Sequence, residues 1–129
     1  SNPLPEIIEK LHSLSFDYDT TYVAIYISPI DKHTQDKQER NIYYRVKEEL
    51  LKQSSCLVLV SKYEGFGFPL LEGFSHHLPV LASDITVLKE VGQQACLFVN
   101  PQSPQSIAIG LQKITQNQKL RQHLIQLGV

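Results

Sequence analysis

A chain of 129 residues with a formal net charge of -1 is the size of a single domain and long enough to bury a core. Lys37, Arg40, Arg45, Lys47 and Lys52 share a stretch with Glu39, Glu48 and Glu49. This mixture reads as a solvated helix face and excludes the basic surface a nucleic-acid binder needs. No apolar run is long enough to span a membrane and none reads as a signal peptide. The expected location is therefore the cytoplasm, with any contact to the inner face of a membrane made through a longer parent protein. Ser1-Asn2 and the absence of methionine fit a cloning remnant ahead of a domain, residues 3–129, cut from such a parent.

Leu4, Ile7, Ile8, Leu11 and Leu14 recur at helical spacing after Pro3 and Pro5, predicting a helix from Pro5 to Leu14. Tyr22 to Ile27 is a β-branched and aromatic run, and so a strand; Asp31 to Asp36 is polar loop. Ile42, Val46 and Leu50 form the stripe of a helix over Lys37 to Gln53. Cys56 to Val60 is continuously apolar, as a strand buried on both faces should be. Pro69 then opens a helix carrying Leu70, Leu71 and Phe74, and Pro79 to Ala82 is the third strand. A short helix over Val87 to Val91 precedes a fourth strand, Ala95 to Val99. Ser103-Pro104 caps a helix whose inner face is Ile107, Ala108, Leu111 and Ile114, and Asn117 starts a last helix with Leu120, Leu124 and Leu127. Alternation of this kind predicts a Rossmann-like three-layer α/β/α fold with a mostly parallel sheet. Cys56 and Cys96 each fall in a strand, so two buried free thiols are expected, as suits a reduced cytoplasmic protein.

The chemistry concentrates in Ser61 to Glu72, directly after a buried strand and running into a helix. Ligands in open α/β sheets bind at the carboxyl ends of strands. Gly65 and Gly67 let a ligand approach the main chain. With Pro69 at the first helical position, the amides of Leu70 and Leu71 are expected to be unpaired donors suited to phosphate oxygens. Glu64 and Glu72 frame the loop, and a carboxylate matches the neighbouring hydroxyls of a sugar or ribose. The plain alternative is a common Gly-x-Gly turn whose glutamates only favour the helix dipole. His76 and His77 are adjacent, which does not suit one metal, so no metal site is expected. Asp31 and His33 are expected to be solvated, and one ring of Tyr43-Tyr44 to pack on the sheet.

Tyr63-Glu64-Gly65-Phe66-Gly67-Phe68-Pro69-Leu70-Leu71-Glu72, followed by Pro79-Val80, Ala82-Ser83, Glu90-Val91 and Asn100-Pro101, resembles the C-terminal domain of GT-B glycosyltransferases. The match is to the retaining group 1, GT4-like family, and runs from about Lys47 to the C-terminus. The resemblance implies that Glu64 contacts hydroxyls of the transferred sugar and is the catalytic residue, while Gly65, Phe66 and Gly67 line sugar and phosphate. It implies that Leu70 and Leu71 hold the diphosphate, that Glu72 binds the ribose hydroxyls, and that Glu90 braces the loops. The implied substrate is a nucleotide-diphosphate sugar, used without cofactor or metal in polysaccharide or glycoconjugate synthesis. The acceptor, a glycan or lipid, would sit on a missing N-terminal domain, and the chain alone would be inactive.

Three departures stand out. Val60 replaces a usual Pro, and the family's basic pair for the leaving diphosphate has no recognisable counterpart. His77 replaces a usual Gly after the motif helix, which predicts a positive φ there. The rival reading is a non-catalytic Rossmann-like module binding a nucleotide or a sugar; the missing basic pair favours it and the two glutamates oppose it.

Overall fold

A computed structural model describes residues 23–25 and 37–128, with side chains from 45 to 128. The helix expected over Pro5 to Leu14, the loop with Asp31 and His33, and the side chains of Tyr43 and Tyr44 lie outside the described residues. Among the described residues four strands, β1 (Val23–Ile25), β2 (Cys56–Leu59), β3 (Val80–Ser83) and β4 (Cys96–Val99), form one sheet in sequence order. All three pairings are parallel, with Val23 opposite Cys56, Leu57 opposite Val80 and Val80 opposite Cys96. Five helices among the described residues follow or join them: α1 (Lys37–Gln53), α2 (Phe68–Ser75), α3 (Thr86–Gly92), α4 (Pro104–Gln116) and α5 (Gln118–Gly128).

Parallel neighbours in sequence order need right-handed crossovers, which put the connecting helices on one face of the sheet. The core divides accordingly. Leu51 of α1, Leu70 of α2 and Leu88 of α3 pack with Leu57, Leu59, Val80, Ala82 and Cys96. On the opposite face, Ile107 and Ile114 of α4 and Leu124 of α5 pack with Cys56, Leu81 and Val99. Successive strand residues alternate between these two clusters, as the two-residue period of a strand requires. Cys56 and Cys96 are buried free thiols, and burial pushes each up to about 12.

Two expectations change. The stripe of α1 was expected on Ile42, Val46 and Leu50, but Val46 and Leu50 are 54% and 51% exposed while Leu51 is only 4% exposed. The inward face of α1 therefore lies one residue further along, and Val46 and Leu50 instead line a shallow groove of about 370 Å³ with Arg45, Glu49 and Gln53. Likewise Leu127 of α5 is exposed, and Leu124 is the buried residue of that helix. His77, just beyond α2, has φ 55, as its replacement of a turn glycine predicts. Ser103 caps α4 through a 3.1 Å bond accepted from the Ser106 amide. Asn117 caps α5 in the same way, accepting from Leu120 N at 3.0 Å.

Candidate functional site

The loop after β2 turns at Gly67, whose φ of 89 lies in the left-handed region, and Gly67 is the N-cap of α2. A side chain there would be strained and its Cβ would meet Leu88 Cδ2 at 3.0 Å, so two independent constraints require glycine. Gly65 is exposed, with open space where a Cβ would be. Around these glycines the rings of Tyr63, Phe66 and Phe68 face solvent, and Phe66 and Phe68 lie 4.7 Å apart, tilted by 35°. The first helical residue is Phe68, not Pro69, and the Leu70 amide donates to the Gly67 carbonyl at 3.0 Å. The expectation of unpaired Leu70 and Leu71 amides is thereby corrected: with Phe68 first and Gly67 as N-cap, the Gly67 carbonyl takes the Leu70 amide and closes the first helical turn onto Leu71. The Leu70 side chain is fully buried, whereas Leu71 is partly exposed.

The two glutamates are held differently. Glu64 Oε1 accepts a 2.8 Å hydrogen bond from the Ser61 hydroxyl, within the loop itself. Glu72 Oε2 pairs with Lys47 Nζ of α1 at 3.1 Å, both side chains about a quarter exposed. Such a pair contributes little stability, ~1 kcal/mol at most, but it orients a flexible carboxylate. At the far end of α2, His76 Nδ1 lies 2.8 Å from the Glu72 carbonyl and Nε2 lies 3.0 Å from Glu48 Oε1. The carbonyl and carboxylate bonds favour the charged ring and raise the His76 pKa above its usual value; the same ring holds the Glu48 carboxyl below its own.

The strand ends beside the loop are also tied. Ser83, buried at the end of β3, donates to the Leu59 carbonyl at 3.4 Å, and Asp84 N donates to the Val99 carbonyl at 2.8 Å. Lys89 pairs with Asp84 at 2.9 Å. Glu90 is exposed and its side chain makes no hydrogen bond or ion pair among the described residues, so it does not brace the loops as expected. Asn100 organises the turn after β4, accepting from Gln102 N at 2.9 Å. The sequence alone did not single out Lys47, Glu48 or His76 for the site. The available signal was Leu51: taking it as the inward residue of α1 places Lys47 and Glu48, four and three residues earlier, beside the core face.

The sheet is Rossmann-like, with a glycine turn and Glu64 in the loop after its second strand and Glu72 in the helix that follows, at the end of the sheet where ligands bind in open α/β folds. Residues 35–128 match the family model described as glycosyl transferases group 1, and the chain belongs to that family. It is 38% identical over 69 residues to the serotype-specific mannosyltransferase WbdA of Escherichia coli, covering 54% of this chain and 8% of that protein. It is 37% identical over 67 residues to the O-antigen chain mannosyltransferase RfbU of Salmonella typhimurium, covering 52% of this chain and 19% of that protein. The chain thus spans less than a fifth of the length of these relatives. Its fold is that of part of a sucrose-phosphate synthase from Thermosynechococcus elongatus, with TM-score 0.57 and 20% identity over 82% of this chain and 32% of that one. Both findings agree with the C-terminal domain of a GT-B glycosyltransferase. Among the described residues no helix is long and apolar enough to cross a membrane.

Proposed function

We propose that the chain is the donor-binding part of a retaining glycosyltransferase that moves a hexose from a nucleotide-diphosphate sugar to a growing glycan or lipid-linked acceptor. The observation that carries this reading is the pair of carboxylates on either side of the left-handed Gly67, each already oriented by a partner. Glu64 would meet the sugar hydroxyls, the main chain of Gly65 to Gly67 would pass along the sugar and phosphates, and Glu72 would take the ribose hydroxyls. Leu71 and the helix start after Gly67 would face the diphosphate, and the α2 dipole favours its charge. No metal or cofactor enters this scheme; positioning and stabilisation of the leaving diphosphate carry the rate. The mannosyltransferase relatives support a hexose donor and a polysaccharide product. The acceptor would sit outside this chain.

Calorimetry separates the two carboxylates. Glu72→Ala is expected to weaken binding of a nucleoside diphosphate by about 1–3 kcal/mol, the usual cost of a lost charged hydrogen bond. Glu64→Ala is expected to leave that affinity nearly unchanged and to abolish the extra affinity of the nucleotide sugar over the nucleotide. Equal effects of both changes on the bare nucleotide would contradict the assignment.

A further inference from the structure

α1 grips Glu72 at both ends. Lys47 holds the carboxylate at 3.1 Å, and the next residue, Glu48, reaches the Glu72 backbone through His76. Each ring nitrogen of His76 faces an oxygen that only accepts: Nδ1 the Glu72 carbonyl at 2.8 Å, Nε2 the Glu48 carboxylate at 3.0 Å. A neutral imidazole has one N–H and would turn a lone pair toward one of these oxygens; only the imidazolium donates to both. Ser75 Oγ, 3.3 Å from Nδ1, itself donates to the Glu72 carbonyl at 2.9 Å. That carbonyl lies in the last turn of α2, where the helix dipole favours a cation.

We propose that His76 is a positioning residue for Glu72, an imidazolium that bridges the Glu72 carbonyl to Glu48 so that α1 holds the nucleotide-binding carboxylate in place. The proposal rests on the reading of Glu72 as a ligand for nucleotide hydroxyls. The charged groups with described side chains on elements around α2 are Arg45, Lys47, Glu48, Glu49 and Lys52 on α1, Lys89 and Glu90 on α3, and Lys119, Arg121 and His123 on α5. Of these and α2's own Glu72, only Glu48 and Glu72 act appreciably on the ring. The sign follows. Because the folded value of His76 is raised above 6.5, the bridge is complete at pH below 6.5 and is lost as pH rises through the raised value. Glu48, lowered from 4.5, keeps its charge until well into acid.

The experiment measures GDP and UDP affinity of the 129-residue chain from pH 6 to pH 9 in four proteins: unaltered, His76→Ala, His76→Arg and Glu48→Ala. Binding to the unaltered chain should weaken about three- to tenfold as pH rises, the worth of one hydrogen bond. His76→Arg, a permanent cation, should lack this fall and bind as the unaltered chain does at low pH. His76→Ala should bind weakly throughout; comparison between proteins cancels the ligand's own protonation. Glu48→Ala, a change at a half-exposed residue, should bring the His76 imidazole titration, followed by NMR, down toward that of a free histidine. Affinity and pH dependence unchanged in His76→Ala would overturn the positioning role, as would a His76 ring that titrates like a free histidine in the unaltered chain. Binding lost in Glu72→Ala but untouched by His76→Ala refutes the positioning role alone. Failure of both nucleotides to bind at any pH refutes the donor-site reading and the coupling with it.

Discussion

His77 and Gln93 carry φ of 55 and 48, positive values that L side chains adopt only at a cost of about 1–3 kcal/mol. His77 follows α2 and is exposed, so nothing but the backbone turn demands the conformation. His77→Gly should therefore stabilise the chain by ~0.5–1 kcal/mol after the extra unfolded-state freedom of glycine is offset. Urea unfolding measures this, and an unchanged or lower midpoint would show that the turn is not strained. His77 was legible because a residue that tolerates this region replaces a glycine the resemblance expects. Gln93 was not, because Gly92 just before it looks like the turn residue. Gly92 is instead the last helical residue of α3, where a Cβ would come within 2.6 Å of Cys96 Sγ, so close packing uses the glycine and the turn passes to Gln93. Glu64 and Glu72 were legible as a pair, but their partners Ser61 and Lys47 were not, since one is a loop hydroxyl and the other depends on the rotation of α1.

Helix α2 lies close on the sheet because Gly73 has no side chain. A Cβ there would meet Val80 Cγ2 at 2.8 Å and Leu57 Cβ at 3.3 Å, on β3 and β2. Gly73→Ala gains about 1 kcal/mol of helix propensity but forces α2 off the strands, an overpacking cost of about 1–3 kcal/mol. Net destabilisation by denaturant unfolding is expected, together with weaker nucleotide binding, because α2 carries both Glu72 and the helix start behind Gly67. Gain of stability would mean that the helix shifts freely and that its seat on the sheet does not fix the site. Existence and order of the described elements were readable from runs and spacing. The rotation of α1 was not, because Val46, Leu50 and Leu51 fit two overlapping stripes and only packing against Leu57 and Leu70 selects Leu51.

At the scale of the whole molecule, alternation of strands and helices was enough to predict the parallel sheet, and the carboxyl end of β2 was enough to place the loop. The chain spans 8% and 19% of two mannosyltransferase relatives, and in the proposed reading the acceptor lies outside it. Incubated with nucleotide sugars and acceptors, the 129-residue chain is expected to give no acceptor-dependent release of nucleoside diphosphate; release at an ordinary rate, on the order of 1–10 per second, would show a complete enzyme. The central claim, that this loop is the donor site, is tested most directly by amide NMR of the chain during titration with nucleotide sugars. The account predicts the largest shifts at Ser61 to Glu72, with smaller ones at Lys47 and His76. Shifts centred on the groove at Arg45, Val46 and Leu50, or absent at saturating ligand, would contradict it.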